Sequence, residues 1–333
     1  MSHGITVRDR QEARHMGWHN LTQINHDLDL KNNWLTKWDI QEVGLKTAGD
    51  IEVPFKILTG TDDNEIIGKP FAGTYTPVSN KAFLDMIGEA ISGVKGAVVE
   101  SVGSVNNRGR VFVSLSIKGM DKFKVGEREF LDYLNFGNGH DQTSALWTNA
   151  SNTCTVCDNT FNMNLNGEQE VKCKVKHSKD VIARLDNIVE IIDAYTGTQA
   201  KFKAEFERLM NEPLKTDKAR NLFAGWMIRS TGENEGSKDL GPKTLAKVNR
   251  VTELFEKGKG NSGENRADAF SAVTDYYTHE STRNSGKNVA RQVFSSDYGL
   301  GRMAKSSFWN VIRNDDSVNA YAANGKKALA MLS

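Results

Sequence analysis

Val98-Val99-Glu100-Ser101-Val102-Gly103-Ser104-Val105-Asn106-Asn107-Arg108-Gly109-Arg110-Val111-Phe112-Val113-Ser114-Leu115-Ser116-Ile117 is the stretch on which the fold turns. Two β-branched or alternating runs, Val98 to Val102 and Arg110 to Ile117, flank Asn106-Asn107-Arg108-Gly109, where Asn and Gly tolerate the backbone of a tight reversal. An antiparallel hairpin is therefore expected. Just upstream, Ser79 is placed to cap a helix whose Phe83, Leu84, Ile87 and Ile91 recur on one face. Downstream, Glu129 to Phe136 and Ser144 to Asn149 read as two more strands, so a helix followed by an antiparallel meander is predicted. Earlier still, Ile51 to Leu58 and Glu65 to Gly68 bracket a turn at Gly60 to Asn64 and read as a second hairpin, with Pro54 near an edge.

The character changes after residue 178. Ser178 precedes Val181, Ile182, Leu185, Ile188, Val189, Ile192 and Tyr195, a sustained amphipathic stripe that Phe202, Phe206, Leu209 and Met210 continue. Further helices are expected after Pro242, over Ala267 to His279, and over Gly301 to Ile312. The glycine-bearing runs Ser230 to Gly236 and Glu256 to Glu264 read as flexible connections. Strands first and helices later define an α+β class: a central antiparallel β-meander with helices packed on one face and a helical C-terminal region. Three regions follow: an N-terminal arm over 1–50, an α+β core over 51–177, and a helical region over 178–333 packing on that core.

With 333 residues, 38% hydrophobic and 26% charged, the chain is long enough and apolar enough to bury a core without staples. The net charge of +1 means that any attraction to a polyanion must come from a local patch. The start, Met1-Ser2-His3-Gly4-Ile5-Thr6-Val7-Arg8, has no apolar signal core, and no run approaches the ~20 apolar residues of a membrane span. The odd set Cys154, Cys157 and Cys173 is read as reduced thiols, so a cytoplasmic location is expected.

Cys154-Thr155-Val156-Cys157 followed by Cys173 and His177 offers three thiolates and an imidazole at zinc-like spacing; buried thiols and a packed histidine are the alternative reading. His140-Asp141 in a Gly-rich loop could pair an imidazole with an orienting carboxylate, or could merely satisfy the loop's own backbone. Gly258 to Gly263 lacks the Gly-Lys-Ser/Thr ending of a phosphate-binding loop, and no hydrolase elbow, metalloprotease helix or kinase set is present. No cofactor is expected. Cations interleaved with aromatics are what single-strand binding requires, since charge tracks phosphates and rings stack on bases. Arg108, Arg110, Lys118, Lys122, Lys124, Arg128, Lys172, Lys174 and Lys176 are the cationic candidates, with Tyr75 and Trp147 as aromatic ones.

Several segments together resemble a phage- and plasmid-borne family described only as domain of unknown function 932. They are Gly17-Trp18-His19-Asn20-Leu21, Trp38 to Val43, Ile67 to Phe83 with its Tyr75-Thr76-Pro77-Val78-Ser79-Asn80 turn, Asn138-Gly139-His140-Asp141 to Ala145, Val156-Cys157-Asp158-Asn159-Thr160, His177, and Ala269 to His279. The resemblance marks Trp18, His19, Tyr75, His140, Asp141, Cys157, Asn159, Thr160 and His177 as motif residues. It departs at Cys154, where the family usually has a basic residue, and it includes Cys157 and His177 but not Cys154 and Cys173. That weighs against a four-ligand zinc site. The helix-then-meander order is also similar to single-strand annealing proteins of the RecT, Redβ and Rad types, a likeness of fold alone.

The function expected from this reading is single-stranded DNA binding and annealing in phage or plasmid recombination and replication, without catalytic residues. The expected partners are single-stranded DNA and further copies of the chain in a ring or filament, with a replication or recombination partner left open. The alternatives are a zinc-organised or enzymatic protein using His140, Asp141, Cys157 and His177, and a host-interaction protein indifferent to DNA.

Overall fold

The computed structural model describes residues 22–23, 30, 33–73, 75–92, 94–105, 108–119, 122–142, 145–154, 160–162, 172–175, 177, 200–230, 240–280 and 300–332. In chain order these form β1 (Thr22–Gln23), β2 (Ile40–Lys46), β3 (Glu52–Gly60), β4 (Ile66–Phe71), α1 (Asn80–Ile91), β5 (Ala97–Val105), β6 (Arg110–Ile117), β7 (Lys122–Val125), β8 (Arg128–Gly139), β9 (Leu146–Cys154), β10 (Thr160–Asn162) and β11 (Lys172–Val175). Helices follow: α2 over 200–210, α3 (Thr216–Ser230), α4 (Pro242–Lys257), α5 (Arg266–Asp275), α6 (Leu300–Ile312) and α7 (Asp315–Ala330). The protein is α+β, with antiparallel meanders and a helical C-terminal region, as its patterning predicts. Among the described residues, no helix is long and apolar enough to cross a membrane.

The large sheet runs β1-β5-β6-β8-β9-β10, with β11 also on β9 and β7 also on β8; the small sheet runs β2-β3-β4, and every pairing is antiparallel. α1 starts where Ser79 leads: its hydroxyl accepts from the Ala82 amide at 3.1 Å, taking up one of the amides a helix start leaves unpaired. Phe83, Leu84 and Ile87 then pack in one core with Val111, Val113, Leu115, Leu134 and Phe136 from β6 and β8. Period 2 in those strands sends the intervening residues to the opposite face, where Ser114 donates to the Asn135 side chain at 2.6 Å out of contact with water.

The expected arm over 1–50 ends differently. Residues 40–46 form β2, paired with β3 from Ile40↔Gly60 to Lys46↔Glu52, so a boundary at 50 falls inside a hairpin. β2 escapes a hydrophobicity reading because it is an edge strand, mostly exposed, crossed by the Glu42–Lys56 ion pair.

A second core joins the C-terminal helices to one end of the sheet. Phe130 of β8 meets Phe206 of α2 edge-on at 5.2 Å, and Phe202 stacks on Trp309 of α6 at 5.4 Å. The predicted stripe over Val181 to Tyr195 lies outside the described residues, whereas Phe202, Phe206 and Leu209 are buried as their spacing requires. α3 and α7 are not among the helices expected above, although Ala219, Leu222, Phe223, Trp226 and Met227 recur at helical spacing along α3. The two helices cross so closely that a Cβ on Gly225 would lie 2.0 Å from the Tyr321 carbonyl oxygen, and one on Gly325 1.8 Å from that of Asn221. The predicted helix over Ala267 to His279 is α5 followed by a π-helical turn at Tyr276–Glu280.

Arg128 ties the sheet to these helices. It pairs with Asp268 of α5, donates to Ser271 Oγ at 2.9 Å, and donates to the Gly260 carbonyl at 2.6 Å. Asp268 also accepts from the Ser262 amide and hydroxyl and from the Glu264 amide. Much of the segment Glu256 to Glu264, read from composition as flexible, is thus fastened onto a buried ion pair. Arg128, read as a surface cation, belongs to that pair and is 8% exposed.

Removing one member of a buried ion pair leaves the other charged and unsatisfied, at about 3–5 kcal/mol. Asp268→Ala is expected to lose that much in urea unfolding; a loss below about 1 kcal/mol would show that the link is dispensable.

Candidate functional site

At its far end β8 runs into His140 and Asp141. Both their amides donate to the Gly109 carbonyl, at 2.8 and 2.9 Å, which bends the chain off the sheet. Gly68 of β4, at φ +80°, admits this bend: a Cβ there would stand 2.8 Å from the Asp141 Cα. The extended segment 75–79 is moored alongside, with Tyr75 Oη donating to the Gly139 carbonyl at 3.1 Å and Asn138 Nδ2 to the Val78 carbonyl at 2.9 Å. Three motif segments far apart in sequence, Tyr75 to Asn80, Asn138 to Asp141, and His177, converge here.

His140 is fully buried. Its Nε2 lies 2.9 Å from Asn80 Oδ1, while Asn80 Nδ2 donates to the Trp38 carbonyl at 3.0 Å. Asp39 accepts from the Asn80 and Lys81 amides, joining Ser79 in capping α1, and the Trp38 ring stands edge-on to His140 at 6.1 Å. His177 stacks on Tyr75 with centroids 5.2 Å apart, and its Nδ1 lies 3.2 Å from the Thr76 carbonyl oxygen. Burial, then the nearby His177, hold the His140 imidazole down to about 3, against the opposing pull of Asp141. Burial also lowers His177, against the Thr76 carbonyl, and burial with the Asp141 charge raises the Tyr75 phenol. At neutral pH both rings are uncharged.

The sequence offers Asp141 as an orienting group for His140. The orienting contact is made instead by Asn80; Asp141 is buried, with Arg110 Nε 3.4 Å from its carboxylate. Asn80 stood inside the quoted turn motif without a role, because only the fold sets the first residue of α1 against the end of β8. Trp38 and Thr76 were missed for the same reason: they act through backbone carbonyls, which leave no mark on side-chain chemistry.

The four-ligand zinc reading fails on register. Cys173 pairs with Thr148 and Cys154 with Phe130, so the two cysteines are set six residues apart along β9, roughly 20 Å at strand rise. Zinc–sulfur bonds are ~2.3 Å. Trp18, His19, Cys157, Asn159 and Lys176 lie outside the described residues, and Thr160 opens β10 opposite Thr153.

The cationic candidates divide. Arg108 lies over the Trp38 ring at 4.8 Å and pairs with Asp62 and Asp63 at 2.8 and 2.9 Å, so it and the buried Arg128 are engaged within the fold. Trp147 is 8% exposed with its ring against Gly137, and so offers no open face to a base. Lys118, Lys122 and Lys124 are exposed, and Lys172 and Lys174 lie on the edge strand β11. Lys95, which sequence reading passed over, is exposed in the turn before β5, beside Lys118: the Lys118 amide donates to the Gly96 carbonyl at 2.9 Å.

These features define an α+β protein whose polar histidine cluster sits where a sheet end meets a helix start. The chain belongs to the family described as domain of unknown function DUF932, whose model matches residues 70–296. No curated protein and no solved structure matches it.

A histidine held neutral by the fold takes up a proton only on unfolding, so its contribution to stability is full above the ordinary value near 6.5 and lost as pH falls below it. The His140 ring alone is expected to lower stability with a slope approaching about 1.4 kcal/mol per pH unit as pH falls from 6.5 toward 5, before carboxylates titrate. Urea midpoints across that window test this; His140→Gln should flatten the slope, and a wild-type slope of zero would refute the assignment.

Proposed function

We propose that the protein binds single-stranded DNA through its phosphates and promotes annealing, as an element of phage or plasmid recombination and replication. What supports this reading is one cluster of lysines. Lys95 precedes β5, Lys118 follows β6 and Lys122 opens β7, so all three stand at one end of the large sheet. All are exposed, and among the described residues none has an ion-pair partner. Lys124, two residues further along β7, lies opposite Glu129 in the β7–β8 register, which leaves the other three as the main source of positive charge.

Such a rim meets the requirements of sequence-independent binding, because phosphate contacts position a strand without reading it. With Trp147 buried and Tyr75 stacked on His177, the aromatics first considered for base stacking are occupied. Contact through phosphates alone leaves base edges exposed to a complementary strand. That suits annealing, in which holding one strand extended lowers the entropic barrier to pairing and no proton or bond need be moved.

Each phosphate neutralised on a single strand contributes about −0.7 to the slope of log K against log salt. Lys95→Ala, Lys118→Ala and Lys122→Ala combined should therefore reduce that slope by about 2 and weaken binding of a fluorescent oligonucleotide in anisotropy titrations. Absence of binding to single- and double-stranded oligonucleotides at low salt, or an unchanged slope in the triple variant, would overturn the proposal.

A further inference from the structure

His140 and His177 each keep one ring nitrogen unused. Asn80 commits its amide group to the Trp38 carbonyl, so the Oδ1 that faces His140 can only accept; His140 Nε2 carries the proton and Nδ1 the lone pair. The Thr76 carbonyl likewise requires a proton on His177 Nδ1, leaving Nε2 as the lone pair. Both lone-pair nitrogens, His140 Nδ1 and His177 Nε2, are buried with no hydrogen-bond partner among the described residues. An unpaired buried acceptor is destabilising, and here there are two, in rings close enough that a charge on His177 would oppose one on His140.

We infer that these two nitrogens are ligands of a divalent transition-metal ion of the zinc class. Metal-binding histidines show this arrangement: one nitrogen points at the ion, while the other gives its N–H to a carbonyl or amide oxygen that fixes tautomer and ring orientation. Neutral imidazole is the form that binds, and burial keeps both rings neutral. Nitrogen donors select zinc, copper, nickel or iron over magnesium and calcium, which take oxygen. Among the described residues no third His, Cys, Asp or Glu completes the set. The remaining positions therefore fall to water or to a bound anion. This site shares no residue with the lysine rim and stands or falls separately from DNA binding.

The test is titration of the full chain, first dialysed against a chelator, with Zn2+ in competition with a chromophoric chelator and with Co2+ followed by its visible absorption. One ion per chain is expected, with affinity reduced at least tenfold in His140→Gln and in His177→Gln. Asn80→Ala, which retains both imidazoles but frees the His140 ring to turn, should weaken binding about tenfold, within the range for loss of an orienting partner. Because the buried histidine variants carry a folding risk, the wild-type stoichiometry and the Asn80 variant decide the matter without them. Failure of the wild-type chain to bind either ion stoichiometrically, or undiminished affinity in Asn80→Ala, would overturn the assignment.

Discussion

The buried pairing of Arg128 with Asp268 is the interaction on which the rest of the structure depends. Arg128 is the first residue of β8 and Asp268 lies in the first turn of α5, so one ion pair fastens the central sheet to the helical region. Neither charge could stay buried alone, and each has its remaining hydrogen-bonding capacity met by Ser271, Gly260, Ser262 or Glu264. The aromatic contacts of Phe130 with Phe206, two residues along the same strand, add dispersion and apolar burial to this junction. The ion pair supplies direction, because a guanidinium satisfied by three groups admits one docking angle where packed rings would tolerate several.

β8 therefore serves as a strut with different work at its two ends. Its first residues anchor the helices, and about 37 Å away at strand rise its last residues deliver His140 to the start of α1. Between them, the strand pairs with β6, β7 and β9, which holds its length rigid. The histidine cluster is assembled from a strand end, a helix cap and an extended segment. Its key contacts, Asn80 to Trp38 and His177 to Thr76, run to backbone carbonyls whose positions depend on the whole fold.

Much of the architecture was legible in the chain. Ser79 and the 3.6-residue recurrence of Phe83, Leu84 and Ile87 located α1; the β-branched alternation of Val111 to Ile117 located β6 and its buried face; Pro242 marked the start of α4. The elements that escaped differ in kind: β2 is an exposed edge strand with no apolar stripe, α7 buries a weak face of Val318, Ala322, Gly325 and Ala328, and α3 does present Ala219, Leu222, Phe223, Trp226 and Met227 at helical spacing. At the site, His140, Asp141, Tyr75 and His177 stood out by residue type and motif, but their roles did not. An arginine written in a sequence looks the same whether it is exposed like a phosphate contact or buried against an aspartate, and Arg128 proved to be the second.

By itself, the sequence determined the fold class, the order of strands before helices, and the residue types that mark the motif, because these rest on local periodicity, capping and turn chemistry. Tertiary structure alone decided which cations remain free, which carboxyamide orients His140, and whether the cysteines can share an ion. Those outcomes depend on strand register and on contacts between residues 40 to 140 positions apart, and a one-residue slip in register would reverse every face of the sheet. Local sequence carries no record of that register until the strands pair.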